Sequence, residues 1–282
     1  MDKKIKVLMV GDHILSPSGV AHMTRIIAES LLRSGKFCIR QLGGAIKHHD
    51  YRPLKTEEYK DDLIIYPVDG YGNPDIVRSI IRSEKPDIVW IMSDPRFYVW
   101  LFGMEDEIRP LMPLVWYSVW DNYPIPKFNI PYYLSCDHIV TISKLTQDIV
   151  TQLAPHVPST YIPHSVNYNV YKPIAEEHIV QFKKDTLRTN DLNKVVFFFN
   201  SRNARRKNTG SLVWWFNDFL NIVGKDKAVL LMHTDPRDEN GPNLEAIIQE
   251  LGLINGEVLF SRDKIAQEGL AMIYNMVDCT VL

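Results

Sequence analysis

The sequence predicts an α/β protein made of two successive series of βα units, and three observations carry that prediction. Short β-branched or aromatic runs alternate with helix-patterned stretches from end to end, the signature of helices packed around a mainly parallel sheet. Several runs are almost continuously apolar, as strands buried on both faces require. A proline-rich stretch near the middle, with Pro155, Pro158, Pro163 and Pro173, breaks the alternation before it restarts.

In the first series, strands are expected at 5–10, 62–66, 87–92, 114–119 and 138–142. A helix over 20–33 follows the first strand, with Ile26, Ile27, Ser30 and Leu31 near one face and Gly35 placed to stop it. Asn73-Pro74 opens a second helix over 75–82, and a third over 144–153 ends before Pro155. After the polar stretch 176–193 the second series reads strand 195–200, helix 209–222, strand 228–233, helix 243–251, strand 257–260, helix 265–275 and a final run 279–282. The expected domains are therefore 1–175 and 190–282.

Composition bounds the function. The chain has 282 residues, 45% hydrophobic and 23% charged, the balance of an ordinary globular protein rather than a disordered or fibrous one. With 32 Lys+Arg against 34 Asp+Glu the net charge is −2, so nucleic acid is not indicated and nothing draws the whole chain to a membrane surface. No apolar stretch approaches the roughly 18 residues of a membrane span. Cys38, Cys136 and Cys279 lie far apart, each in or beside an apolar run. That pattern suggests buried reduced thiols and a cytoplasmic protein.

Two loops suggest chemistry. The first strand leads through Gly11-Asp12-His13-Ile14-Leu15-Ser16-Pro17-Ser18-Gly19 into a helix, so backbone amides could face an anionic or sugar ligand there. A plain turn and cap accounts for the same residues. The loop is neither G-x-G-x-x-G nor a phosphate-binding G-x-x-x-x-G-K-[ST], which disfavours an NAD-type oxidoreductase. In the second half, Asn200-Ser201-Arg202-Asn203-Ala204-Arg205-Arg206-Lys207-Asn208 lies between an apolar strand and a helix. Four cations converging with a helix dipole suit a diphosphate, and a solvated charged turn is the competing reading. His48-His49-Asp50 could ligate a metal, but nothing else has zinc-site spacing, and a solvated loop fits better. There is no G-x-S-x-G nucleophile motif. Trp116, Tyr117, Trp120 and Tyr123, with Asp121 and Asn122, suit either stacking on a sugar or base, or packing.

Ile162-Pro163-His164-Ser165-Val166-Asn167 followed by Val170-Tyr171-Lys172-Pro173 resembles the interdomain "I-P-x-G-V-D…F-x-P" segment of GT-B retaining glycosyltransferases of the glycogen synthase and mannosyltransferase type. The stretch 198–208 is similar to that family's strand and "G-R-x-x-x-x-K-G", with Arg202 and Lys207 at the matching spacing. Ile142-Ser143-Lys144 resembles its "S-x-x" helix start, and Leu270-Ala271-Met272-Ile273-Tyr274-Asn275-Met276-Val277-Asp278 its "L-x-x-x-Y-x-x-A-D".

The resemblance implies two Rossmann-like domains, the first on the acceptor side and the second binding the nucleotide sugar, with a cleft between them. It implies hexosyl transfer with retention from a donor such as a UDP- or GDP-sugar to an unknown acceptor, with no metal and no cofactor besides that substrate. Arg202 and Lys207 would hold the diphosphate and stabilise the leaving group, joined on the donor by Ser18, Gly19, Arg206 and His233. Asp121 is the catalytic candidate of the first domain. Departures accompany the likeness. Trp120-Asp121 stands where many relatives have His-Asp, and a single Gly19 stands where relatives often have two glycines. The family's paired-glutamate motif would begin beyond Leu282, so the second domain is expected to be incomplete. The alternative expectation is a nucleotide-sugar-binding module without transfer activity.

Overall fold

The computed structural model describes residues 3–188 and 192–282. The chain divides into two compact units, Met1–Ser165 and Val166–Leu282. The division falls ahead of the 175–190 span expected from sequence. Residues 1 and 190, two of the expected domain ends, lie outside the described residues.

Unit 1 runs β1 (Ile5–Asp12), α1 (Gly19–Arg33), β2 (Phe37–Gly44), β3 (Leu54–Lys55), β4 (Leu63–Pro67), α2 (Pro74–Glu84) and β5 (Ile88–Met92), then α3 (Val99–Phe102), α4 (Glu105–Ile108), β6 (Leu114–Ser118), α5 (Ile130–Leu134), β7 (His138–Thr141), α6 (Lys144–Leu153) and β8 (Ser159–Tyr161). Its eight strands lie in the order β3-β4-β2-β1-β5-β6-β7-β8. All pairs are parallel except β3 with β4. The sheet is buried on both faces, as the apolar runs predict: along β1, Leu8 and Val10 enter one core with Leu42 and Ile91, while Val7 and Met9 enter the other with Ile39 and Ile65.

The helices start where the sequence provides caps. Ser18, Asn73 and Ser143 each accept a backbone N–H of their own first turn. Gly35 takes a φ of +71° just past α1, which glycine adopts without strain. The fully buried residues of α1 are Ala21, Met23, Thr24, Ala28 and Leu32; the expected Ile26, Ile27 and Leu31 pack partly buried against the same core, while Ser30 is exposed. Strand β2 went unpredicted since Arg40 and Gln41 interrupt its apolar run, yet both are buried at the centre of the sheet.

Unit 2 runs α7 (Glu176–Leu187), β9 (Val195–Asn200), α8 (Thr209–Val223), β10 (Ala228–His233), α9 (Leu244–Glu250), β11 (Val258–Ser261), α10 (Gln267–Met276) and β12 (Cys279–Val281). Its parallel sheet has the order β11-β10-β9-β12. Helix α7 occupies most of the polar stretch that the sequence reads as an interruption. Its Ile179, Phe182 and Leu187 pack with Val196, Phe198 and Ile273, a sparse apolar stripe within a charged helix. Cys38 and Cys136 are buried as expected, but Cys279 is exposed.

Candidate functional site

In an open parallel sheet, ligands bind beyond the strand carboxyl ends where the strand order reverses. In unit 2 the chain leaves β9 for β10 on one side and later returns to β12 on the other, so the reversal is at β9. Asn200, His233 and Ser261 form one row across the carboxyl ends of β9, β10 and β11. His233 Nδ1 lies 2.9 Å from Ser261 Oγ, and Asn200 Nδ2 donates to Tyr274 Oη at 3.1 Å.

Beyond that row stand the four cations. Arg202 donates from Nε and Nη2 to the two carboxylate oxygens of Asp238, at 2.6 and 3.1 Å. The guanidinium and the Asn240 amides that also bond Asp238 hold its carboxyl well below the ordinary carboxylate range. Arg205, Arg206 and Lys207 form a single 3-10 turn, and no ion pair involves any of the three among the described residues. Arg206 is exposed and Lys207 half-buried. The turn ends at Asn208, left-handed at φ 50°, which leads into α8 without a side-chain cap. The first-turn amides of a 15-residue helix, which have no partners inside it, therefore open beside three unpaired cations. Such an arrangement attracts an anion carrying several charges.

The anchoring of this loop was not legible in sequence. Asn203, fully buried, donates from Nδ2 to Pro242 O at 2.8 Å and accepts from Thr209 Oγ1 at 2.6 Å. Arg205 N donates to Asn240 O at 2.9 Å. Pro242 and Asn240 lie more than thirty positions away in the loop after β10, and only the rule that neighbouring strands end at the same edge points to them.

In unit 1 the order reverses between β1 and β5. Ser18 Oγ donates to Asp12 Oδ2 at 2.5 Å and accepts from Ala21 N at 3.0 Å, so one hydroxyl ties the end of β1 to the start of α1. A Cβ on Gly19 would meet nothing within 4 Å, so the fold leaves space above the helix start. His13 is buried beneath the loop, and burial, with His48 beside it, lowers its pKa. The ring centroids of His48 are 5.1 Å from His13 and 5.7 Å from Tyr51, while His49 and Asp50 are exposed. Among the described residues, no three His, Cys, Asp or Glu side chains are grouped to hold a metal ion.

The aromatic cluster divides. Trp116 and Tyr117 are core residues with 0% and 1% exposure; only Trp120 and Tyr123 face outward, so the expected aromatic wall is halved. The Arg96 guanidinium sits 5.6 Å from the centroid of Trp120, and Asp94 binds Arg96 through both carboxylate oxygens. Asp121 is an exposed carboxylate in the loop after β6. Among the described residues, no helix is long and apolar enough to cross a membrane.

No protein-family model and no curated protein matches the chain. Solved structures do match. A glycosyltransferase from Rickettsia africae is 18% identical at a TM-score of 0.68, over 99% of this chain and 73% of that one. HepE from Anabaena, in complex with UDP and glucose, is 13% identical at 0.66, over 98% and 73%. The catalytic domain of starch synthase IV from Arabidopsis thaliana, bound to ADP and acarbose, is 11% identical at 0.62, over 99% and 78%. Identities this low establish the architecture alone: the chain is an α/β protein with the two Rossmann-like domains of the GT-B glycosyltransferase fold.

Proposed function

We propose that this chain transfers a sugar from a nucleotide-sugar donor to an acceptor, with retention of anomeric configuration. The observation that carries the reading is the cation loop at the carboxyl end of β9, set against the uncapped start of α8. In this reading the donor diphosphate lies against Arg202, Lys207 and the first-turn amides. As the glycosidic bond breaks, charge grows on the leaving diphosphate and those fixed donors stabilise it. Side chains neutralise the diphosphate, without a metal or a further cofactor. Arg206 and His233, on the same edge, are assigned to the donor as well.

In unit 1, Ser18 and Gly19 present the α1 amides to substrate, and Asp121 with Trp120 is assigned to the acceptor. Three free cysteines support a cytoplasmic setting.

Calorimetric titration with UDP-, GDP- and ADP-sugars, alongside an assay for released nucleotide, tests the proposal. One donor class is expected to bind and to be turned over. Binding without release would identify a nucleotide-sugar-binding module instead. No binding by any of them would overturn the reading.

A further inference from the structure

Among the described residues, Arg202 is the one cation of the loop that is already ion-paired, and the geometry of the pair decides what its partner does. Asp238 takes the Nε–H and one Nη2–H of the guanidinium. An arginine has five N–H donors, so three remain, including both on Nη1, along the edge turned away from Asp238. The Arg202 side chain is still two-thirds exposed, while the Asp238 side chain is only 13% exposed.

The carboxylate is itself fixed. Its Oδ1 accepts from Asn240 N and Asn240 Nδ2, both at 2.9 Å, and Gly241 N donates to Asp238 O at 3.0 Å. A Cβ on Gly241 would lie 2.3 Å from Asn203 Oδ1, so this turn is pressed against the cation loop with no room for a side chain.

We propose that Asp238 is a positioning residue for the donor diphosphate: it clamps the Nε edge of Arg202 so that the Nη1 edge is presented, already ordered, to phosphate oxygens. A long cationic side chain otherwise loses rotamer freedom on binding, and the clamp removes that loss beforehand. The opposite effect is also open to a carboxylate near phosphates: its charge repels them, or it competes for the guanidinium. The two effects have opposite signs in one measurement. The inference rests on the donor-site reading above, and the experiment separates their failures.

The 282-residue chain is titrated with UDP, GDP and ADP, and the tightest is compared with its nucleoside in Asp238→Asn, Asp238→Glu, Arg202→Ala, Lys207→Ala and the double variant Arg202→Ala/Asp238→Asn. Asp238→Asn is expected to weaken diphosphate binding about tenfold and to leave nucleoside binding unchanged. Asp238→Glu should retain most of the affinity, and the double variant should equal Arg202→Ala. Tighter diphosphate binding in Asp238→Asn, or an undiminished further loss in the Arg202→Ala background, would overturn the clamp. Should Asp238→Asn not fold, Asn240→Ala removes only a support of the carboxylate and is expected to give a smaller loss that disappears without Arg202. If Arg202→Ala weakens binding and Asp238→Asn does not, the clamp alone fails. If the wild type binds none of the three diphosphates, or neither Arg202→Ala nor Lys207→Ala changes the affinity, the donor-site reading fails and the clamp with it.

Discussion

Lys207 and Arg202 differ in what they do before a ligand arrives. Lys207 has no ion pair among the described residues and sits half-buried at the turn before α8, whereas Arg202 is tied to Asp238. Their charge therefore meets a diphosphate in different ways: one is an unpaired ammonium, the other a held fork. Replacing either by alanine should weaken nucleoside diphosphate binding about ten- to a hundredfold, the range for hydrogen bonds to charged groups, as read by calorimetry. Unchanged affinity in both would return the loop to a solvated turn. These two cations were legible in sequence because a strand, a cation run and a helix start are contiguous. Asp238 was not, since a carboxylate in a polar loop has no local mark, and its partner is 36 positions away. The aromatic reading around Asp121 was half misleading for a related reason. Alternation along a strand sends Trp116 and Tyr117 to opposite faces, and here both faces are core.

Among the elements, β2 shows where periodicity reasoning fails. A strand with arginine and glutamine at its centre reads as a loop, yet Arg40 is buried because its partners are built in: it donates to Glu84 Oε2 at 2.5 Å and to the carbonyls of Ile39 and Asp61. Burial by itself would raise the pKa of Glu84, but hydrogen bonds from Tyr66, Arg40 and Lys6 outweigh it and bring the carboxyl down to about 2 from 4.5. A folded-state pKa below the unfolded one gives stability that is complete above about pH 4.5 and is lost as pH falls toward 2. The stability difference between wild type and Glu84→Gln, followed by urea unfolding, should therefore be largest near neutrality and shrink through that window. A difference independent of pH would show that Glu84 acts by shape and not by charge. Helix α1 offers a second test. Ser18 both caps the helix and holds Asp12, so Ser18→Ala should lower stability by about 1 kcal/mol, and thermal unfolding without that loss would show the cap to be dispensable.

At the scale of the whole molecule, the alternation of strands and helices was legible because most of the parallel strands are apolar runs and α1, α2 and α6 carry side-chain caps. The two Rossmann-like series followed from it. What the sequence hid were elements held by context: the edge strands β3 and β8, the short helices between β5 and β7, and the charged helix α7. The unit division also has a physical content that can be tested. The two cores of unit 1 contain no residue beyond Val157, and the two cores of unit 2 contain none before Ile179. The last hydrogen bonds of unit 1 reach Ile162, whose N donates to Thr141 O at 3.0 Å and whose O accepts from Tyr117 Oη at 2.7 Å, and residues 161–169 are exposed. A fragment of residues 1–165 thus keeps every apolar contact of its own cores and should unfold in one cooperative transition. It contains Ser18, Gly19 and Asp121 but none of the β9 loop cations, so it should bind no nucleoside diphosphate under conditions where the 282-residue chain does. Diphosphate binding by the fragment at wild-type affinity would move the donor site into unit 1. A fragment that melts without cooperativity would show that its cores depend on residues beyond Ser165.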